Sequence, residues 1–231
     1  MFENWTFYWD WTYILVIIGA VISMIASAKV RSSFNKYSKV MSRSGMTGAD
    51  VARRMLTDAG IGDVSVAQVS GSLTDHYSPK DRMLRLSDSV YGSSSVAAIG
   101  VAAHECGHAI QDKEDYGPLR LRTLSVPLAT IGSKVSIPLV IIGIIFGLTG
   151  LARVGVVLFT LVVLFQLITL PVEFDASKRA VRILERDGIL AADELSGAKS
   201  VLRAAAMTYV AALLSSVLQL LRLVMLTRRR D

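Results

Sequence analysis

Four apolar stretches, each long enough to cross a bilayer, constrain this chain more than any other feature. They run from about Trp11 to Ala28, from Leu124 to about Phe146, from Leu151 to Leu170, and from about Met207 to Leu226. A spanning helix needs about 20 predominantly apolar residues, and inside hydrocarbon every backbone polar group must be satisfied within its own segment. Helices are therefore the only economical way to fold these runs. Composition agrees: 52% of the 231 residues are hydrophobic, and the polar residues fall in blocks rather than being spread evenly. Trp5, Trp9 and Trp11 stand at the front of the first run, where aromatic rings suit the headgroup level. That front is acidic rather than basic and the apolar run begins late, which argues against a cleaved signal peptide. Pro127 and Pro138 lie inside the second run and are tolerated in membrane helices when neighbours re-satisfy the freed backbone. The turn Gly147-Leu148-Thr149-Gly150 makes a hairpin of the second and third.

Between the first and second runs lies the one sizeable polar block, residues 29–122, long enough for a small domain that relies on the membrane helices to complete its core. Thr47 and Asp50 fit a capping box variant, and Val51, Met55, Leu56 and Ala59 form a helical stripe ended by Gly60. Val64 to Val69 and Met83 to Leu86 read as two short strands separated by the turn-prone Ser78-Pro79-Lys80-Asp81. Ser93, Ser94 and Ser95 are N-cap candidates for a helix from Val96 to Ile110 that is apolar nearly all round and hence buried. The fold class expected is a mainly α membrane protein with about four transmembrane helices and a small α+β domain. Its expected divisions are an N-terminal membrane helix (1–28), the α+β region (29–122), a membrane hairpin (123–171), a helical region (172–206), and a C-terminal membrane helix with a basic tail (207–231).

The net charge of +6 is concentrated in loops beside apolar runs, which fits membrane orientation rather than a nucleic-acid surface. One cysteine excludes an intramolecular disulfide framework. Lys29, Arg31, Lys36, Lys39 and Arg43 follow the first run, Arg120 and Arg122 precede the second, and Lys178, Arg179, Arg182 and Arg186 follow the third. If the runs cross in turn, all three groups share one side, and that side is expected to be cytoplasmic. Arg228, Arg229 and Arg230 oppose this arrangement. Either they are outvoted, or the fourth run lies partly in the interface. Arg222 inside that run pairs with a partner or snorkels to the interface.

The buried helix carries His104-Glu105-Cys106-Gly107-His108, with two of the three histidines in the chain. Spacing of four stacks both imidazoles on one helix face, where two neutral ring nitrogens bind one Zn²⁺ and the adjoining glutamate acts on a water. The chain thus reads as a zinc hydrolase. Cys106 points to a different face and is not expected to be a ligand. A catalytic zinc has three protein ligands plus water, so one is still to be found. Glu173, just after Leu170-Pro171, is the favoured candidate; His76 and Asp175 compete. Glu173 reads equally well as an ordinary acid in the first turn of a helix begun at Pro171.

The segments Leu73-Thr74-Asp75-His76-Tyr77-Ser78-Pro79, Ser95 to Ala98, Ala102 to Gln111 and Leu170 to Ser177 resemble the YugP family of bacterial membrane zinc metallopeptidases. The likeness covers nearly the whole chain, including Thr208-Tyr209-Val210-Ala211-Ala212 and the arginine-rich tail. That family is in turn similar to the HtpX and CAAX prenyl protease class, gluzincins whose third ligand is a glutamate on a later helix. The resemblance implies a zincin-like catalytic domain, one Zn²⁺ per chain held by His104, His108 and Glu173, and Glu105 as general base. It also implies a multi-pass protein of the bacterial plasma membrane. One departure stands out: HtpX-type enzymes have an aspartate four residues after the ligand glutamate, and here that position is Ser177, with Asp175 a possible substitute.

The function expected is a membrane-embedded zinc endopeptidase cutting peptides or membrane proteins near the cytoplasmic surface, with the lipid bilayer as its other partner. His76 or Tyr77 is expected to supply a hydrogen-bond donor to the tetrahedral intermediate. The strand near Met83 to Leu86 is expected to pair an extended substrate. The alternatives are a non-proteolytic membrane scaffold with a structural or vestigial zinc site, and a zinc hydrolase acting on a non-peptide substrate.

Overall fold

The computed structural model describes residues 11–228. Trp5, Trp9, Arg229 and Arg230, named above, lie outside them. The described chain is mainly helical: α1 Tyr13–Tyr37, α2 Gly48–Asp58, β1 Ser65–Val69, β2 His76–Ser78, β3 Met83–Ser87, α3 Asp88–Tyr91, α4 Val96–Lys113, α5 Gly117–Ile145, α6 Thr149–Arg186 and α7 Ala192–Arg228. Helices α1, α5, α6 and α7 are long and apolar enough to cross a membrane, with 25, 29, 38 and 37 residues. The fold class read from the sequence, a mainly α membrane protein with a small α+β domain, is the one observed, and its sheet has three strands where two were expected.

The chain forms two compact units. The first comprises the described parts of residues 1–24, 127–164 and 211–231. Within it, small residues bring helices together, as expected where lipid offers no hydrophobic drive for association. A Cβ on Gly143 would stand 2.5 Å from the Ala152 backbone nitrogen, and one on Gly155 would stand 2.7 Å from the Ser136 carbonyl oxygen. The Ser215 hydroxyl lies 2.9 Å from that of Ser23 and also donates to the Gly19 carbonyl. The Arg222 guanidinium sits 4.0 Å from the centre of the Tyr13 ring, so this intramembrane cation is stacked on an aromatic face. Ile131, Ile141, Ile145 and Val157 stay exposed, the surface a bilayer would cover.

The second unit comprises residues 25–126 and 165–210. Thr47 caps α2 with the reciprocal bonds of a capping box: its hydroxyl accepts from Asp50 N, and its own N–H donates to the Asp50 carboxylate. Val51, Ala52, Met55 and Leu56 then face inward. The sheet has the order β1-β3-β2, with β1 parallel and β2 antiparallel to β3. Alternation along β3 buries Leu84 and Leu86 against α4 and leaves Arg85 outside. The strand near Met83 to Leu86 is therefore the central one, paired on both sides. Its edge is not free for a substrate, which corrects the expectation above; β2, three residues long, lies at one side of the sheet.

Helix α4 runs through the middle of this core. Ser95 caps it by accepting from Ala98 N, and Val96, Ala97, Ala98, Ile99, Ala102 and Ala103 are fully buried. Ala180 and Leu184 of α6 and Ala198, Val201 and Leu202 of α7 pack around it. Gly107 permits the closest approach: a Cβ there would lie 2.5 Å from the Ala176 carbonyl oxygen of α6. Helix α6 continues through Pro171 without a break, so residues 171–177 are mid-helix.

Candidate metal centre

The i, i+4 spacing on α4 sets the His104 and His108 rings 4.8 Å apart, edge to face. Opposite them, on α6, stands Glu173, with a side chain only 2% exposed. Its Oε2 lies 3.3 Å from His104 Nε2 and 3.6 Å from His108 Nε2. These three side chains form a group that could hold a metal ion. A tetrahedral zinc with ligand bonds of about 2.1 Å separates its ligand atoms by about 3.4 Å, close to both spacings. Glu173 Oε2 is buried without a hydrogen-bond partner, and an orphaned carboxylate oxygen beside two imidazole nitrogens is a costly arrangement unless a cation shares it. The residues fit the metal. Because α6 is continuous through Pro171, Glu173 is not a first-turn acid, and that reading of it falls away.

The far sides of both imidazoles are already engaged. His108 Nδ1 lies 3.0 Å from Gln111 Oε1, while Gln111 Nε2 donates to the Val172 carbonyl and to Asp175 Oδ2, each at 2.9 Å. Two acceptors at the amide nitrogen fix which way the amide faces, so Oε1 must accept from His108 Nδ1–H. The lone pair of Nε2 is thereby directed at Glu173. His104 Nδ1 lies 3.1 Å from the Ser177 hydroxyl. Ser177 thus stands against His104, and Asp175 acts through Gln111 and Arg179. Burial alone would disfavour a charged His108, but the nearby carboxylates of Glu173 and Glu105 outweigh it and raise its pKa.

Glu105, buried next to the first histidine, lines two cavities. One, of about 330 Å³, has polar and cationic walls that include His76, Lys80 and Arg122. The other, of about 190 Å³, is mostly aliphatic, with Val30, Val101, Leu202 and Ala206. Asp75, His104, Glu105, Glu173 and Tyr209 are common to both, so the candidate metal group stands where the two meet. Asp75 accepts from Ser87 N and Oγ, and its burial raises its pKa despite those bonds.

The other residues singled out from sequence stand as follows. His76 is exposed at the cavity edge, and its Nδ1 lies 2.9 Å from the Thr74 carbonyl. The Tyr77 hydroxyl donates to Asp112 at 2.8 Å and accepts from Arg82 at 3.1 Å. Burial and that bond to Asp112 raise its pKa. Cys106 is fully buried with its sulfur toward the Ala52 carbonyl. Sequence reasoning missed Arg122, whose guanidinium is 3.6 Å from Glu173 Oε1, and Tyr209. The single signal for Tyr209 was its place in the stretch Thr208 to Ala212.

Long apolar helices and a His-His-Glu group beside a buried glutamate together define a membrane protein of the zinc metallopeptidase class. The chain belongs to the family described as "Putative neutral zinc metallopeptidase", whose model matches residues 12–228. It is 48% identical over 215 residues to the "Putative membrane protease YugP" of Bacillus subtilis (strain 168), covering 93% of this chain and 96% of that relative. No solved structure matches it.

Proposed function

We propose that this protein is an endopeptidase of the bacterial plasma membrane that hydrolyses peptide bonds near the cytoplasmic surface, with one Zn²⁺ held by His104, His108 and Glu173. The orphaned Glu173 Oε2 between two oriented imidazoles, with Glu105 alongside, carries the reading. Zn²⁺ in that position supplies a Lewis acid that polarises a carbonyl and brings the pKa of water toward about 7. Glu105 takes a proton from the attacking water and delivers it to the leaving amine. Gln111 holds His108 in the tautomer that directs the Nε2 lone pair inward, and Ser177 bonds the outer nitrogen of His104. Arg122 offsets part of the charge of Glu173.

The cavities on either side of Glu105 support internal cleavage, since a peptide can extend in both directions from the scissile bond. Strand β2 lines the larger cavity and has its second edge outside the sheet order, so an extended substrate has a main-chain partner there. The Lys and Arg residues flanking the spans support a cytoplasmic site. Proteomic comparison of membranes from cells carrying the wild type or Glu105→Gln tests the reading. New amino termini in membrane proteins, present with the wild type alone, are expected. Identical terminal profiles would point to the scaffold instead.

A further inference from the structure

Hydrolysis of a peptide bond puts negative charge on the carbonyl oxygen, and a donor aimed at that oxygen is commonly worth about 10²- to 10³-fold in turnover. The residues around the two cavities narrow the choice of donor. Tyr77 has its hydroxyl proton on Asp112 and an Arg82 N–H on its oxygen. His76 turns Nδ1 to its own loop carbonyl at the exposed edge. Arg122 faces the outer oxygen of Glu173. Asp75, fixed by Ser87, is an acceptor. Tyr209 is different: it is the one hydroxyl among the five residues common to both cavities. It lines both cavities beside Glu105 and Glu173 and lies within the electrostatic reach of both.

Helix α7 explains how it gets there. Leu202, Ala206 and Tyr209 follow at i, i+4 and i+7, one helix face, and all three line the aliphatic cavity. Ala205 and Ala206 line the same cavity with small side chains.

We propose that Tyr209 is a catalytic residue whose phenolic O–H donates a hydrogen bond to the carbonyl oxygen of the scissile bond as that oxygen gains negative charge. No proton leaves the phenol; the bond shortens as the charge develops. The proposal rests on the peptidase reading above, and its test separates the two. Tyr209→Phe keeps the ring and removes the donor. With fluorescein-labelled casein as substrate, kcat is expected to fall about 10²- to 10³-fold with KM little changed. Zinc content by metal analysis is expected to stay at the wild-type value. Affinity for a dipeptide phosphinate, whose tetrahedral oxygen mimics the charged intermediate, is expected to fall by a similar factor. Equal phosphinate affinity in the two proteins overturns the proposal, and so does loss of zinc from Tyr209→Phe, which would make the tyrosine a support for Glu173. Wild-type protein that binds zinc and phosphinate but leaves casein intact counts against the peptidase reading, while the two affinities still report on Tyr209.

Discussion

Gln111 has no exposed surface, and its amide makes three hydrogen bonds inside the protein. One of them orients His108, and the others tie that orientation to the backbone and a carboxylate of α6. Partners of this kind are typically worth about 10- to 100-fold in metal affinity. Gln111→Met, close in volume but unable to bond, is expected to weaken zinc binding by such a factor in competition with a chelator. Unchanged affinity would mean that His108 needs no orienting partner. The histidine pair was legible in the sequence because its geometry is set within one turn of helix. The partner of His104 was not: a serine replaces the aspartate of the resembling class, and only the packing of α6 on α4 brings its hydroxyl to the ring. The same holds for the partner of Tyr77, Asp112, which lies 35 residues away.

Helices α4 and α6 carry the two halves of the candidate metal group, so their spacing is a chemical variable. Gly107 stands next to His108 and against Ala176, one turn from Glu173. Gly107→Ala would push a methyl into the Ala176 carbonyl, and overpacking of this sort costs about 1–3 kcal/mol. The expected result is a lower melting temperature and a loss of zinc that a matched change at Gly62, where a Cβ meets nothing, does not produce. Zinc content equal to wild type in Gly107→Ala would show that the helices can part without moving the ligands. Helices α2 and α4 were legible because caps and apolar stripes are local signals. Strand β2 was read as part of a turn region because three residues carry no period, and its existence depends on pairing with β3. Pro171 read as a helix start, yet α6 passes through it, as membrane helices allow.

At the scale of the whole molecule, the four long apolar helices were evident from hydropathy, and family membership agrees with a membrane protein. The side on which the candidate site opens rests on charge distribution alone, and it can be measured. Lys80 is exposed on the loop between β2 and β3. Lys80→Cys is expected to resist a membrane-impermeant maleimide in intact cells and to react once the membrane is opened. The native Cys106 gives little background, because burial raises its pKa and keeps the thiol unreactive. Labelling in intact cells would invert the topology.

The reaction centre proposed for this protein is a zinc held by His104, His108 and Glu173 that works with Glu105 to hydrolyse peptides. Its most direct test is zinc content and peptide turnover measured side by side on purified wild type and Glu105→Gln. About one zinc per chain is expected in both proteins and cleavage in the wild type alone, since Glu105 moves protons and holds no metal. Turnover by Glu105→Gln equal to that of the wild type, or a wild-type protein that takes up no zinc, would contradict it.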